Sequence, residues 1–439
     1  MRTRLALALV LSLVACRRRE APARAEPESS EDAPLPGSED AGTPAACAVA
    51  SRRAVRAGRR VDAGESDTVA AQAFRVIATR AGRRALWVDG AASELVLASE
   101  GGAVLMSRSL GAGERSDPAL ATLGASATPA VAWSRDGING RAHIVRAGER
   151  LERGCRGPET RDEGLSIAAV GTARGLLVAW DDDGPRPAAG SIKLQLITPA
   201  SLAEGDRDEA LPPCPAARQV SAPEQDASDP VLVPTPDGAA VVVWLTARDI
   251  DATQANDTVT DLWAQALDAS GASVGRALRL TNAVGHRFGV SASAADATTV
   301  WVAFRLSEDS DSESRGDGGE VAVVRVERGP DGLVRASDPL TVTGDGANPT
   351  GAPAVFARAQ RPGGARVFWR ERRGPSVRTF QRQIEPSGTL SPGAVIHPEP
   401  ALAGELPIAV DSSGHLLAPH ATGGGGVELL RVQCASEAR

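Results

Sequence analysis

One stretch, Asp229 to Thr281, limits most tightly what this chain can become. It opens with Pro230-Val231-Leu232-Val233, turns at Pro236-Asp237-Gly238 and returns through Ala239-Ala240-Val241-Val242-Val243-Trp244. After a polar loop, Asp261-Leu262-Trp263-Ala264-Gln265-Ala266-Leu267 leads through Asp268-Ala269-Ser270-Gly271 into Arg276-Ala277-Leu278-Arg279-Leu280-Thr281. Short β-branched runs divided by Gly, Pro and Asp turns favour extended backbone, and four in succession predict one four-stranded antiparallel sheet.

The unit returns along the chain. Aligned on its second strand, it gives Ala85-Leu86-Trp87, Val131-Ala132-Trp133, Val178-Ala179-Trp180, Val242-Val243-Trp244, Val302-Ala303-Phe304 and Val367-Phe368-Trp369, with a degenerate Leu416-Leu417-Ala418 at the end. The turn before the fourth strand recurs at Ser270-Gly271, Asp331-Gly332 and Ser387-Gly388. About 390 residues lie beyond the N-terminal region, too many for one ordinary core, yet no linker interrupts them. Repeated sheets resolve that conflict. The period predicts an all-β chain folded as a β-propeller, with seven four-stranded blades and six as the alternative, whose strand edges are short and protected. The aromatic series is expected to pack between blades. The pattern resembles the repeat of bacterial secreted and lipid-anchored propellers, in which a Val-Val-Trp strand precedes one of the Leu-Trp-Ala-Gln-Ala-Leu-Asp kind. The resemblance covers residues 60–434 and is closest in 229–281. It implies a fold and supplies no catalytic motif, because one such scaffold hosts many activities.

The N-terminus carries an address. Arg2 and Arg4 precede the apolar run Leu5 to Val14, which is too short to span a bilayer and predicts an export signal over residues 1–15. Its end, Leu13-Val14-Ala15-Cys16, resembles the lipobox of bacterial lipoproteins, and that resemblance implies cleavage before Cys16 and acylation of its thiol. Two acyl chains hold a protein stably where one does not. Residues 16–46, rich in Pro, Ala, Glu and Ser, cannot bury enough apolar surface to order themselves and predict a tether. Its reach is on the order of 30 Å. The expected location is therefore the cell envelope, on the periplasmic or outer surface of a bacterial membrane, with residues 47–439 as the propeller.

A ring must also close. The last unit supplies only three strands, so a segment from the N-terminal side is expected as its outer strand; Arg59-Arg60-Val61-Asp62-Ala63 lies ahead of the first blade much as Arg218-Gln219-Val220-Ser221-Ala222 lies ahead of the fourth. Cys47, Cys155, Cys214 and Cys434 make an even set in an exported chain, where disulfides persist. Four cysteines allow three pairings. Position along the repeats favours Cys47 with Cys434 and Cys155 with Cys214, each near a connection between third and fourth strands.

Chemistry is sparsely written. A formal net charge of −7 without a basic block excludes nucleic acid as a partner. Lys193 is the only lysine among 48 basic residues, a mark of GC-rich coding that removes arginine abundance as a binding signal. The five histidines are scattered, Gly271-Ala272-Ser273-Val274-Gly275 matches a nucleophile elbow but falls on a hairpin turn, and the Asp box of sialidase propellers is missing around Ser134-Arg135-Asp136-Gly137. In the loop 309–320, Asp309, Asp311, Glu313, Asp317 and Glu320 occupy positions 1, 3, 5, 9 and 12 of a calcium loop, although Ser314 stands where an EF-hand has glycine. Calcium is thus the one candidate cofactor, against a plain solvated acidic loop. Asp181, Asp182, Asp183, Asp249, Asp251 and Asp257 fall in loops after second strands and are expected on one rim, forming with 309–320 a negative sector beside the positive edge Arg370-Glu371-Arg372-Arg373. These features predict a monomeric, lipid-anchored binding or scaffold protein facing an envelope protein or a polysaccharide. The alternative is a polysaccharide-active enzyme, a hydrolase or lyase using loop carboxylates.

Overall fold

The computed structural model describes residues 47–434 apart from 57–71, 80–81, 90–93, 100–102, 110–117, 125–126, 137–140, 161–165, 183–189, 206, 250–257, 283–284, 308–317, 345, 358–361, 374–375, 396–408, 411–415 and 423–425. The signal, Cys16 and the tether lie outside the described residues. So does the segment 59–63.

Seven antiparallel sheets follow one another along the chain, each ordered from an inner to an outer strand. The first six blades run from Gln72–Thr79 to Val104–Ser109, Ala119–Leu123 to Arg153–Thr160, Ile167–Gly171 to Arg218–Gln219, Asp226–Pro234 to Ser273–Arg279, His286–Ala294 to Gly332–Ala336, and Pro349–Ala357 to Ala394–Val395. Inner strands of blades one to six neighbour each other in turn, and the first also neighbours Ala409–Val410, the inner strand of blade seven. This is a seven-bladed β-propeller.

The seventh blade takes its outer strand from the N-terminal side. Cys47–Arg56 pairs antiparallel with Gly426–Cys434, from Cys47 opposite Cys434 to Arg56 opposite Val427. Closure by an N-terminal strand is as expected, but the strand is 47–56 and not the 59–63 segment. In this register Cys47 and Cys434 stand opposite each other in the ladder, and Arg52 lies 3.8 Å from Glu428 on the neighbouring strand. The side chains of Cys47 and Cys434 are outside the described residues.

Second strands hold the core. Trp87, Trp133, Trp180, Trp244, Phe304 and Trp369 are each at most 3 % exposed, and Ala418 fills the same place in the last blade. Side chains on either face of a strand alternate, so each blade contributes to two interfaces: Val241 and Val243 pack toward blade five, Val242 and Trp244 toward blade three. Seven such wedges leave no face uncovered, which is why apolar residues on both faces of these strands are tolerated.

Residues 198–217 do something that the repeat does not predict. Between the third and outer strands of blade three, the chain swings back over blade two, where Ala203–Glu204 pairs with Gly154 and Arg153. It then inserts Asp208 and Leu211 toward the interface of blades one and two. Arg108 of blade one, with Arg135 and Arg146 of blade two, converges on the Asp208 carboxylate; Arg146 Nη2 stands 2.7 Å away and Arg135 Nη1 3.1 Å. Burial would raise this carboxyl's pKa, but the hydrogen bonds and charges of Arg108 and Arg146 outweigh burial and hold it below its ordinary value. Cys214 then bonds Cys155, with Cα atoms 4.9 Å apart, and fastens the excursion. The pairing is the expected one, although Cys155 sits within an outer strand and not in a turn.

Candidate functional site

The inner strands are bent at a common height. Their ladders with the second strands slip between Gln72 and Arg75, Ser228 and Val231, Phe288 and Ser291, and Thr350 and Ala354, in blades one, four, five and six. A bulge leaves an extra residue unpaired and re-aims the side chains beyond it. In blades five and six that residue is glycine, with Gly289 at φ 61° and Gly351 at φ 68°; in blade four it is Asp229, at φ 51°. Glycine adopts this region without penalty, whereas an L-residue is disfavoured by about 1 kcal/mol or more, and the proline after it narrows its options further. Retaining a carboxylate at a bend that glycine would make more easily points to use of the side chain.

Asp229 is exposed, and Pro230 beside it lines the central cavity. The bend is held from below by a second carboxylate. Asp181, buried at the end of the second strand of blade three, accepts the Asp229 backbone N–H at 3.3 Å on one oxygen and the Ser166 N–H at 2.7 Å on the other. Ser166 Oγ in turn donates to Asp229 Oδ1 at 2.9 Å. Two acids from adjacent blades therefore meet at the rim, one facing solvent and one fixing the backbone that presents it. Asp182 comes next, on the opposite face of its strand and half-buried.

Below this corner lies a cavity of 610 Å³ along the axis, lined by inner-strand residues of blades one to six and by Arg370. The volume falls within the range of small-ligand sites. Its wall is mostly alanine, proline and aliphatic side chains, with Arg75 and Arg370 as the charged members.

The acids named from sequence divide into three groups. Asp181 is buried and structural in its contacts, so it belongs to the site as a support and not as an exposed ligand. Asp249 ends the second strand of blade four with its side chain outside the described residues, where Asp183, Asp251 and Asp257 also fall. Of the calcium loop, Asp309, Asp311, Glu313 and Asp317 lie outside as well; Glu320 is exposed and accepts from Thr341 Oγ1 at 3.2 Å. Among the described residues no group of three or more His, Cys, Asp or Glu is placed to hold a metal.

Most acids of the expected negative sector lie outside the described residues, and the described residues beside them include paired charges. Asp261, buried in blade four, is met by Arg279 at 2.5 Å, Arg248 at 3.1 Å and Arg287 at 3.8 Å, and Arg305 is buried in blade five above the Phe288 ring. Burying a carboxylate requires partners, and arginines supply them, so the described part of this arc is mixed in charge. Likewise Glu371 is buried and accepts the Trp369 indole N–H at 2.8 Å. Sequence reasoning misses Asp229 as a site residue. The one signal for it is alignment with Gly289 and Gly351, which only the ladder registers make secure.

No family model and no curated protein matches the chain. Among solved structures it is similar to an α-L-arabinanase of Penicillium chrysogenum complexed with arabinobiose, at 13% identity and a TM-score of 0.44, covering 87% of this chain and 99% of that one. It is also similar to the GH93 α-L-arabinofuranosidase of Fusarium graminearum, at 9% identity, a TM-score of 0.38 and coverage of 72% and 92%. An endo-arabinase of Bacteroides thetaiotaomicron gives 10% identity, 0.33, and 65% and 95%. These neighbours are glycosidases, and the expectation of a binding or scaffold protein is corrected against them. Any chemistry has to come from the chain's own residues.

Proposed function

We propose that this chain is a polysaccharide-active enzyme, a hydrolase or lyase, working at the upper mouth of its central channel. Asp229 carries the reading: an exposed carboxylate in left-handed backbone, beside the cavity, where two other blades use glycine. Glycosidic hydrolysis uses two carboxyl groups, one protonating the leaving oxygen and one serving as base or nucleophile. A lyase needs a base for a proton beside a uronate. In this reading Asp229 touches the sugar, and Asp181 is a positioning residue that holds its backbone.

The same proposal places the enzyme at the bacterial cell envelope as a monomer tethered through acylated Cys16, which the Leu13-Val14-Ala15-Cys16 pattern supports. Mass spectrometry of the mature N-terminus checks the anchor, and an unmodified terminus elsewhere removes it. For the activity, the protein is incubated with arabinan, xylan and uronate polymers, scoring reducing ends and unsaturated products separately. Turnover that Asp229→Asn abolishes supports the assignment; turnover unaffected by it, or none on any polymer, counts against it.

A further inference from the structure

Among the described residues that line the central cavity, the ionisable side chains are Arg75 and Arg370, in a chain of formal net charge −7. Their positions can be fixed by register. Arg75 pairs with Leu86, the residue before Trp87; the equivalent inner-strand positions, each opposite the residue before a buried aromatic, are Ala119, Ala168, Val231, Ser291 and Ala354. Five described blades thus put a small or aliphatic residue into this layer of the channel, and blade one puts an arginine there. The Oγ of Ser291, in the same layer, is enclosed and has no hydrogen-bond partner among the described residues.

Arg370 arrives by a different route. It comes directly after Trp369 on the second strand of blade six and reaches across the inner-strand bulge, where a Cβ on Gly351 would stand 2.6 Å from its Nη2. The guanidinium rests on bare backbone that only glycine leaves open. Arg75 and Arg370 therefore enter from the blades on either side of blade seven. Apolar walls lower the local dielectric and strengthen a charge interaction, and the planar guanidinium fork matches a carboxylate.

We propose that this cavity binds the carboxylate of an acidic sugar, so that the polymer taken by the enzyme is built of uronic acid residues. The assignment of the polymer rests on the catalytic reading of Asp229; the anion site rests on Arg75 and Arg370. Calorimetry on the full mature chain tests it, with tetramers of galacturonate, glucuronate and mannuronate and the carboxyl-reduced counterpart of each. At least one uronate tetramer should bind, weaken as salt rises, and exceed its reduced counterpart by about tenfold or more. Arg75→Gln and Arg370→Gln should each cost about tenfold in affinity while thermal melts show both variants folded. Equal affinity for the reduced sugar, no loss in the folded double variant, or no binding of any uronate overturns the proposal. Asp229→Asn separates the two readings: it should keep uronate affinity and lose turnover, and if it still cleaves, the catalytic assignment fails while the anion site stands.

Discussion

Replacing His143 by glutamine should flatten the acid limb of this protein's stability curve. His143 lies on the third strand of blade two, fully buried, its ring 4.2 Å from that of Trp180 in blade three. Gln195 donates its amide to the Pro215 carbonyl, so its oxygen faces His143 Nε2 at 2.9 Å and makes that nitrogen the donor. Nδ1 then holds a lone pair with no partner among the described residues, beside Gly157, whose missing side chain makes room for the ring. Burial lowers the pKa from 6.5 to about 4, against a smaller opposing effect of the Gln195 bond. A depressed folded-state value means that stability is fully present above pH 6.5 and lost as pH falls toward 4. At 1.36 kcal/mol per unit the loss is ~3 kcal/mol across that window. Unfolding free energies from urea titrations between pH 7 and pH 4 should fall steeply for wild type and by about 3 kcal/mol less for His143→Gln. Parallel curves would refute the assignment, whatever the variant's stability at neutral pH.

Other consequences arise from the clasp and the ring. Asp208→Ala strands buried Arg146 without its carboxylate and should cost about 3–5 kcal/mol in denaturant unfolding, whereas Asp208→Leu with Arg146→Met should recover much of it. Because Asp208 is held below its ordinary value, its contribution is lost only below about pH 4, after the His143 step is complete. Removing the Cys155–Cys214 bond, which spans 59 residues, should cost about 4 kcal/mol if unfolded-chain entropy governs, read as a lower melting temperature of the double serine variant. Trp244→Ala should lose about 3–5 kcal/mol, and deleting 47–56 should expose the edge of blade seven, seen as aggregation or faster proteolysis near 426–434.

The blades are legible because their signal is local and repeated. Each second strand but the last carries an aromatic after its apolar run, the hairpin turns carry glycine or aspartate, and a period-two apolar pattern leaves little else for these residues to form. Pairing of Cys155 with Cys214 comes from repeat position alone. What cannot be read is non-local. Residues 198–217 look like a long polar connection, and nothing in them announces that Asp208 will meet arginines from blades one and two. The closing strand reads some residues late because the likeness of 59–63 to 218–222 is local and says nothing of which residues face Gly426–Cys434. The site suffers most. Asp181 reads as an exposed loop acid and is a buried support, while Asp229 reads only as the start of a repeat and is the exposed group, presented by a backbone angle that composition does not encode.

Asp229→Gly, set beside wild type on whichever polymer is cleaved, separates the carboxylate from the bend that carries it. Glycine suits φ 51° better than aspartate, so the variant should fold with a melting temperature close to wild type while losing the carboxylate. If Asp229 is the catalytic acid or base, release of reducing ends or unsaturated products by the folded variant falls by about a hundredfold or more, roughly 3 kcal/mol of transition-state stabilisation. A folded variant that turns over at the wild-type rate would contradict that role.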